Sequence, residues 1–338
     1  MGADLSRRRQ VPKLLERLDD PWGITWRVVN LLRRFDLRWT LRFSRYLVSS
    51  KAHRRPIFIL GAPRSGTTFL FHLLRESRSL GSLPGEGHNV WRAFHHPRYG
   101  GWRSDAVGPG EVKFGERRFV QAYFRAWIGP RRLVEKTPEN SLRMDYLLDL
   151  FPDAHFVVIH RHPLDVIHSL IQGWRHPEGR YRSYYVPEDL QIPGHSARRR
   201  WCFLLFDGWR RFKEAEVPEI AAEQWRTCAE ALVRGREKVS KDRWTEIYFE
   251  DLLSEPTVFR DLCPRLGLET EPRLEAKWQE LRDHPVNALS PPGEEKWRRL
   301  EEEILPLIPP LIGPAADLGY RIDPGSGQMT RTRSRESL

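Results

Sequence analysis

Cysteine is nearly absent from this chain. Cys202, Cys228 and Cys263 are its only three, and their odd number and irregular spacing argue against both a disulfide framework and a zinc site. A reducing compartment fits that usage. No apolar run is long enough to span a bilayer, and the opening MGADLSRRRQ lacks a hydrophobic core, so neither a membrane span nor Sec export is expected. The body also lacks a charge surplus. Residues 1–55 carry 14 Lys/Arg against 5 Asp/Glu, leaving 42 against 40 in residues 56–338, which speaks against a duplex-binding surface on the folded body.

What remains is an ordinary globular composition, 40% hydrophobic and 30% charged over 338 residues, long enough to bury a full core. From Val28 through Leu32, Phe35, Trp39 and Phe43 to Tyr46, apolar residues recur at helical spacing. Residues 1–55 therefore read as a basic amphipathic helical segment. Packing on the body is the favoured use of its stripe; peripheral membrane contact through residues 22–48 is the other. Met1-Gly2 with Ser6 also matches the short acylation pattern M-G-x-x-x-[ST].

From Pro56 onward, β-branched runs at 56–60, 133–134, 156–159 and 247–249 alternate with helical stretches. The expected fold is α/β, three-layered and P-loop-like, with a central parallel sheet flanked by helices. Its domain should span 56–322. Residues 174–200 read as a long loop, Arg198-Arg199-Arg200 as a helix start, and 323–338 as a disordered tail.

The first chemical signal is GAPRSGTT at 61–68, directly after an apolar strand. Such a turn aims backbone N–H groups and a helix dipole at one oxyanion. Yet Thr67 stands where the ATP- and GTP-binding pattern has lysine, and the later strand Phe156–Ile159 ends in His160-Arg161-His162 with no metal-holding aspartate. No metal site is expected. Arg64 supplies charge inside the loop, joined by Ser65, Gly66, Thr67 and Thr68.

The second signal is Arg161 with Ser169 eight residues later. In an open parallel sheet, ligands bind at the carboxyl ends of strands, so these two residues and the loop can face one crevice. A ligand with two anionic ends is implied.

GAPRSGTTFL and HRHPLDVIHS resemble the 5′-phosphosulfate loop and the 3′-phosphate motif of sulfotransferases that use 3′-phosphoadenosine 5′-phosphosulfate (PAPS), in its bacterial-type and tyrosylprotein-type branch. The resemblance covers roughly residues 55–320. It implies sulfonyl transfer from PAPS, as co-substrate, to an unidentified hydroxyl or amine acceptor, by in-line displacement without metal or nucleic acid. By the same resemblance, Lys136 stabilises the leaving group and Glu86 is the general base, while Ser290 and Lys296 contact the nucleotide. This chain departs from the family in having Gly85 where many relatives carry an aromatic. His88 rivals Glu86 because imidazole titrates nearer neutrality. Trp297 is either an adenine stacking face or a core anchor. A kinase with a degenerate loop and a non-enzymatic membrane-peripheral protein are the competing readings, and a cytoplasmic location is expected.

Overall fold

The computed structural model describes residues 37–49, 52–287, 289 and 295–332. Helix α1 (Leu37–Ser49) precedes strand β1 (Ile57–Leu60), which turns through the 61–66 loop into α2 (Thr67–Leu74). Next come β2 (Leu80–Gly81), α3 (His88–His95), α4 (Glu116–Ile128), β3 (Arg132–Glu135) and α5 (Met144–Leu150). Strand β4 (His155–His160) feeds α6 (Pro163–Trp174), followed by β5 (Arg182–Tyr185), β6 (Arg200–Cys202) and the long α7 (Val217–Arg236). The last third holds β7 (Trp244–Tyr248), α8 (Phe249–Ser254), α9 (Thr257–Arg265) and α10 (Pro272–Asp283). It closes with α11 (Glu301–Ile304), α12 (Ile312–Asp317), β8 (Tyr320–Ile322) and β9 (Met329–Arg331).

Five strands form one sheet in the order β2-β3-β1-β4-β7, every pair parallel. Alternation along β1 sorts its side chains between two cores. Ile57 and Ile59 join Leu70, Leu73, Phe259 and Trp278 on one face, while Phe58 and Leu60 join Trp91, Phe124 and Leu147 on the other. This is the expected three-layer α/β arrangement. A third cluster, centred on Trp174, Trp201 and Trp209, packs α6 and α7 against the β5–β6 pair and the C-terminal turns.

Chain order explains where the crevice lies. β1 leads to β2 on one side of the sheet while its neighbour β4 leads towards β7 on the other, so the connections leave these adjacent strands in opposite directions and open a gap between their carboxyl ends. The 61–66 loop occupies that gap.

Several local expectations differ from the structure. Strand β7 stops at Tyr248, and Phe249 opens a helix instead. The 174–200 stretch contains β5, which pairs antiparallel with β6, and Arg200 begins that strand rather than a helix. Residues 323–332 are not a disordered tail: Tyr320, Arg321 and Ile322 pair with Arg331, Thr330 and Met329. The hairpin is anchored by Gly327, whose φ of +65° and close approach to the Trp297 ring leave no room for a Cβ. Residues 333–338 lie outside the described residues.

Of the basic N-terminal segment, only 37–49 and 52–55 are described, and Val28, Leu32 and Phe35 lie outside. Within α1, Trp39 and Phe43 are buried, their rings stacked at 5.1 Å. They meet Tyr123 and Phe119 of α4 edge-on. This part of the stripe packs on the body.

Candidate active site

Parallel strands deliver consecutive residues to one edge of the sheet. Gly61 follows β1, Lys136 follows β3, Arg161 follows β4 and Phe249 follows β7.

The loop is braced from within. The Ser65 N–H and hydroxyl both donate to the Ala62 carbonyl, at 3.1 and 2.7 Å. The Ser141 hydroxyl donates to the Gly61 carbonyl at 2.9 Å and accepts from its N–H at 3.0 Å. Ser65 thus shapes the turn, with its hydroxyl engaged inside it. Gly66 has φ +97°, and a Cβ there would sit 2.2 Å from the Phe249 ring. Gly66 also caps α2 without a side-chain partner, leaving the helix's first N–H groups at the loop mouth. Thr67 is buried at that helix start.

Arg64 adopts φ +77°, a left-handed conformation that costs a non-glycine residue about 1–2 kcal/mol. Its partners hold it there. Nε donates to the Ser169 hydroxyl at 3.1 Å and Nη2 to the Asn287 carbonyl at 2.9 Å, while the guanidinium lies over the Tyr181 ring. Arg161 donates from Nη1 to the Arg64 carbonyl at 3.1 Å and covers the Phe249 ring. The two anion motifs therefore meet. Burial first, then repulsion from Arg161, holds the Lys296 ammonium below its ordinary range. Arg64 is lowered by burial first, with Arg161 and Arg180 adding repulsion. Cations that depress one another while partly buried make a site electrostatically suited to an anion.

A second cluster adjoins the loop through Thr68. Lys136 is 3% exposed, not a solvated loop lysine. Its ammonium donates to Thr68 Oγ1 at 3.1 Å and pairs with Glu86. Glu86 Oε2 contacts His88 Nε2 at 2.6 Å, and His88 Nδ1 lies 3.2 Å from Glu139 Oε1. Burial alone would raise the Glu86 carboxyl, but His88 and Lys136 together bring it down to about 2. Burial likewise opposes charge on His88, but Glu139 and Glu86 push it up to about 9.

Sequence reasoning missed what stands behind these residues. Glu139 accepts from Arg92 at 2.9 Å and Tyr184 at 3.1 Å. The Tyr184 hydroxyl lies between Glu139 and Asp105 and shares its one proton between them, and Asp105 takes Arg143 at 3.2 Å and the Leu205 N–H at 2.6 Å. Burial, with the nearby Glu139 charge, lifts Asp105 to about 6. Glu135 is a further buried carboxylate, pushed up by burial. It gathers the Gly87 N–H, the Trp91 indole N–H, Thr137 and Asn140. That set pins the Glu86–His88 segment to the end of β3. The one local cue was the density of charge in Glu135-Lys136-Thr137-Pro138-Glu139.

The other expectations divide. Trp297 is fully buried and its backbone N–H donates to Asp165 at 3.1 Å, making it a core anchor rather than a stacking face. The 296–308 run is broken into 3-10 turns and the single α-helical turn of α11, as prolines at 306, 309 and 310 dictate. Ser290 lies outside the described residues. His162 caps α6 through Asp165, and His160 faces Glu246 at 3.6 Å. Among the described residues, no group of three His, Cys, Asp or Glu side chains is placed to hold a metal ion.

The chain is similar to several known proteins. The nodulation protein NoeE of Sinorhizobium fredii is 31% identical over 140 residues, 36% of this chain and 32% of that protein. Omega-hydroxy-beta-dihydromenaquinone-9 sulfotransferase Stf3 of Mycobacterium bovis is 31% identical over 186 residues, 53% of this chain and 40% of that protein. The match thus spans less than half the length of either relative. In three dimensions the chain is similar to sulfotransferase STF9 from Mycobacterium avium, with TM-score 0.54 and 19% identity over 79% of this chain and 80% of that one, a likeness of fold. A family model described as the sulfotransferase family matches residues 56–272, which contain both anion motifs, Glu86 and Lys136, and this chain therefore belongs to the sulfotransferase family.

Proposed function

We propose that this chain transfers the sulfonyl group of PAPS to a hydroxyl-bearing acceptor by in-line displacement at sulfur. The observation that carries this reading is the meeting of Arg64, Arg161 and Ser169 at one loop, with the Lys136–Glu86 pair joined to the loop's end by the Lys136 hydrogen bond to Thr68. The residues fit such a donor: mutually repelling, partly buried cations stand beside an uncapped helix start. PAPS would supply an activated sulfonyl group on a phosphate leaving group.

Within that scheme Arg64, Gly66 and the α2 N-terminus hold the 5′ anion, and Arg161, Ser169 and Lys296 hold the 3′ phosphate. Lys136 stabilises charge on the leaving phosphate oxygen. Glu86 takes the acceptor's proton. His88 is disfavoured as base because both its nitrogens face carboxylates, so the imidazolium has no lone pair to accept one. It keeps Glu86 ionised and in place. The Lys136–Glu86 pair also keeps the base occupied until an anion competes for the lysine.

The test needs no knowledge of the acceptor. Release of 3′-phosphoadenosine 5′-phosphate (PAP) from PAPS is measured with water or a panel of alcohols as acceptors. Slow release that Lys136→Ala abolishes supports the reading. Transfer from ATP with magnesium and none from PAPS rules it out.

A further inference from the structure

A second cavity lies at the joint of α1 and α4. It measures about 690 Å³ and is lined by Tyr46, His53, Arg54, Lys113, Arg117 and Arg118, among others. Four of its thirteen lining residues, Arg54, Lys113, Arg117 and Arg118, are basic against one acid, Asp153, which accepts the Arg55 N–H at 2.7 Å; Lys113 also donates to the Phe94 carbonyl at 2.6 Å and Arg117 to the Asp149 carbonyl. It stands at the start of the 13-residue helix α4, whose cap, Gly115, offers no side-chain acceptor.

His53 supplies an independent observation. It is 2% exposed, yet neither ring nitrogen has a hydrogen-bond partner, while its backbone N–H donates to Gln121. Burial first, then the Arg125 charge, pushes the ring down to about 3. A neutral imidazole walled by Phe124 and Phe151 therefore lines a basic cavity with its donor unused. Leaving a buried donor unmatched costs about 1–3 kcal/mol. An oxyanion ligand would supply the missing acceptor.

The rim is apolar in a way that a soluble anion does not require. Phe114, between the lining residues Lys113 and Gly115, is fully exposed. On the face of α1 turned away from the lining Tyr46, Val48 is 79% exposed and Leu41, two turns before it, is 63% exposed. Along that outward stripe of α1, Arg38, Arg42 and Arg45 are also exposed. Large apolar side chains alternating with arginines suit the boundary between lipid headgroups and acyl chains.

We infer that this cavity binds the phosphate headgroup of an anionic membrane lipid, with Phe114 entering the bilayer interface beside it. The inference is independent of the sulfonyl-transfer reading.

Sedimentation of the full chain with vesicles tests it, using phosphatidylcholine alone or mixed with phosphatidylglycerol. Wild type should co-sediment with the mixed vesicles and not with phosphatidylcholine alone. Phe114→Asp, and separately the pair Arg54→Glu and Arg118→Glu, should each lower the bound fraction roughly tenfold. Phe114 has no packing to lose, and unchanged circular dichroism and PAP binding confirm that each variant is folded. Binding that persists in both variants assigns attraction to other basic residues and overturns the inference. Stabilisation by inorganic phosphate, lost in the arginine pair but with no vesicle binding by wild type, overturns it in favour of a soluble phosphate ligand.

Discussion

The Arg64 guanidinium donates to the Ser169 hydroxyl at 3.1 Å, joining two motifs 105 residues apart in sequence. Ser169 therefore orients the loop's own cation besides offering a hydroxyl to a ligand. Ser169→Ala should weaken PAP binding about tenfold, the lower end of the range for one hydrogen bond to a charged group. Isothermal titration measures this, and Ser169→Thr, which keeps the hydroxyl, should recover part of the loss.

Lys136, buried, and Glu86, partly exposed, form an ion pair whose members have different tasks. Lys136→Ala should lower kcat about 10²–10³-fold, as for loss of a preorganised charge donor, with little change in PAP affinity. Glu86→Gln should also lower kcat and abolish its dependence on acceptor deprotonation. A variant of either residue with wild-type kcat would remove it from the chemistry.

His88 carries the pH dependence. Its folded value of about 9 exceeds the ordinary histidine value near 6.5, so its stabilising contribution is full below about pH 6.5 and is lost as pH rises through about 9. Urea unfolding should therefore show stability falling between pH 6.5 and 9.5, and the slope should flatten in His88→Gln. Parallel slopes in the two proteins would show that the ring is not ion-paired.

Gly66 is a point where geometry permits one residue. With φ +97° and the Phe249 ring 2.2 Å from a would-be Cβ, Gly66→Ala should cost about 1–3 kcal/mol. It should also weaken PAP binding by displacing the loop. Gly85, whose Cβ would meet nothing within 4 Å, is the control, and Gly85→Ala should be close to neutral in a thermal melt.

The fold and the anion crevice were legible because parallel-strand topology constrains them. An apolar run followed by a glycine turn and a helix places its loop at a strand's carboxyl end, and Arg161 follows β4 by the same rule. Glu86 and Lys136 were legible as candidates, though not as partners, since nothing local records a pairing across 50 residues. The Glu139–Tyr184–Asp105–Arg143 chain was invisible for the same reason, its members meeting only when the loop before α4, the turn between β3 and α5, and strand β5 are assembled. The polar 323–332 stretch looked unfolded because its order comes from pairing with Tyr320–Ile322 and from Gly327 against Trp297, not from apolar residues of its own.

Isothermal titration of PAP into wild type, Arg64→Ala and Arg161→Ala tests the two-anion crevice most directly. Each substitution should weaken binding about 10- to 150-fold, the span for a lost charge-assisted hydrogen bond, with wild-type affinity unaffected by EDTA. Equal affinity in the three proteins would contradict the account.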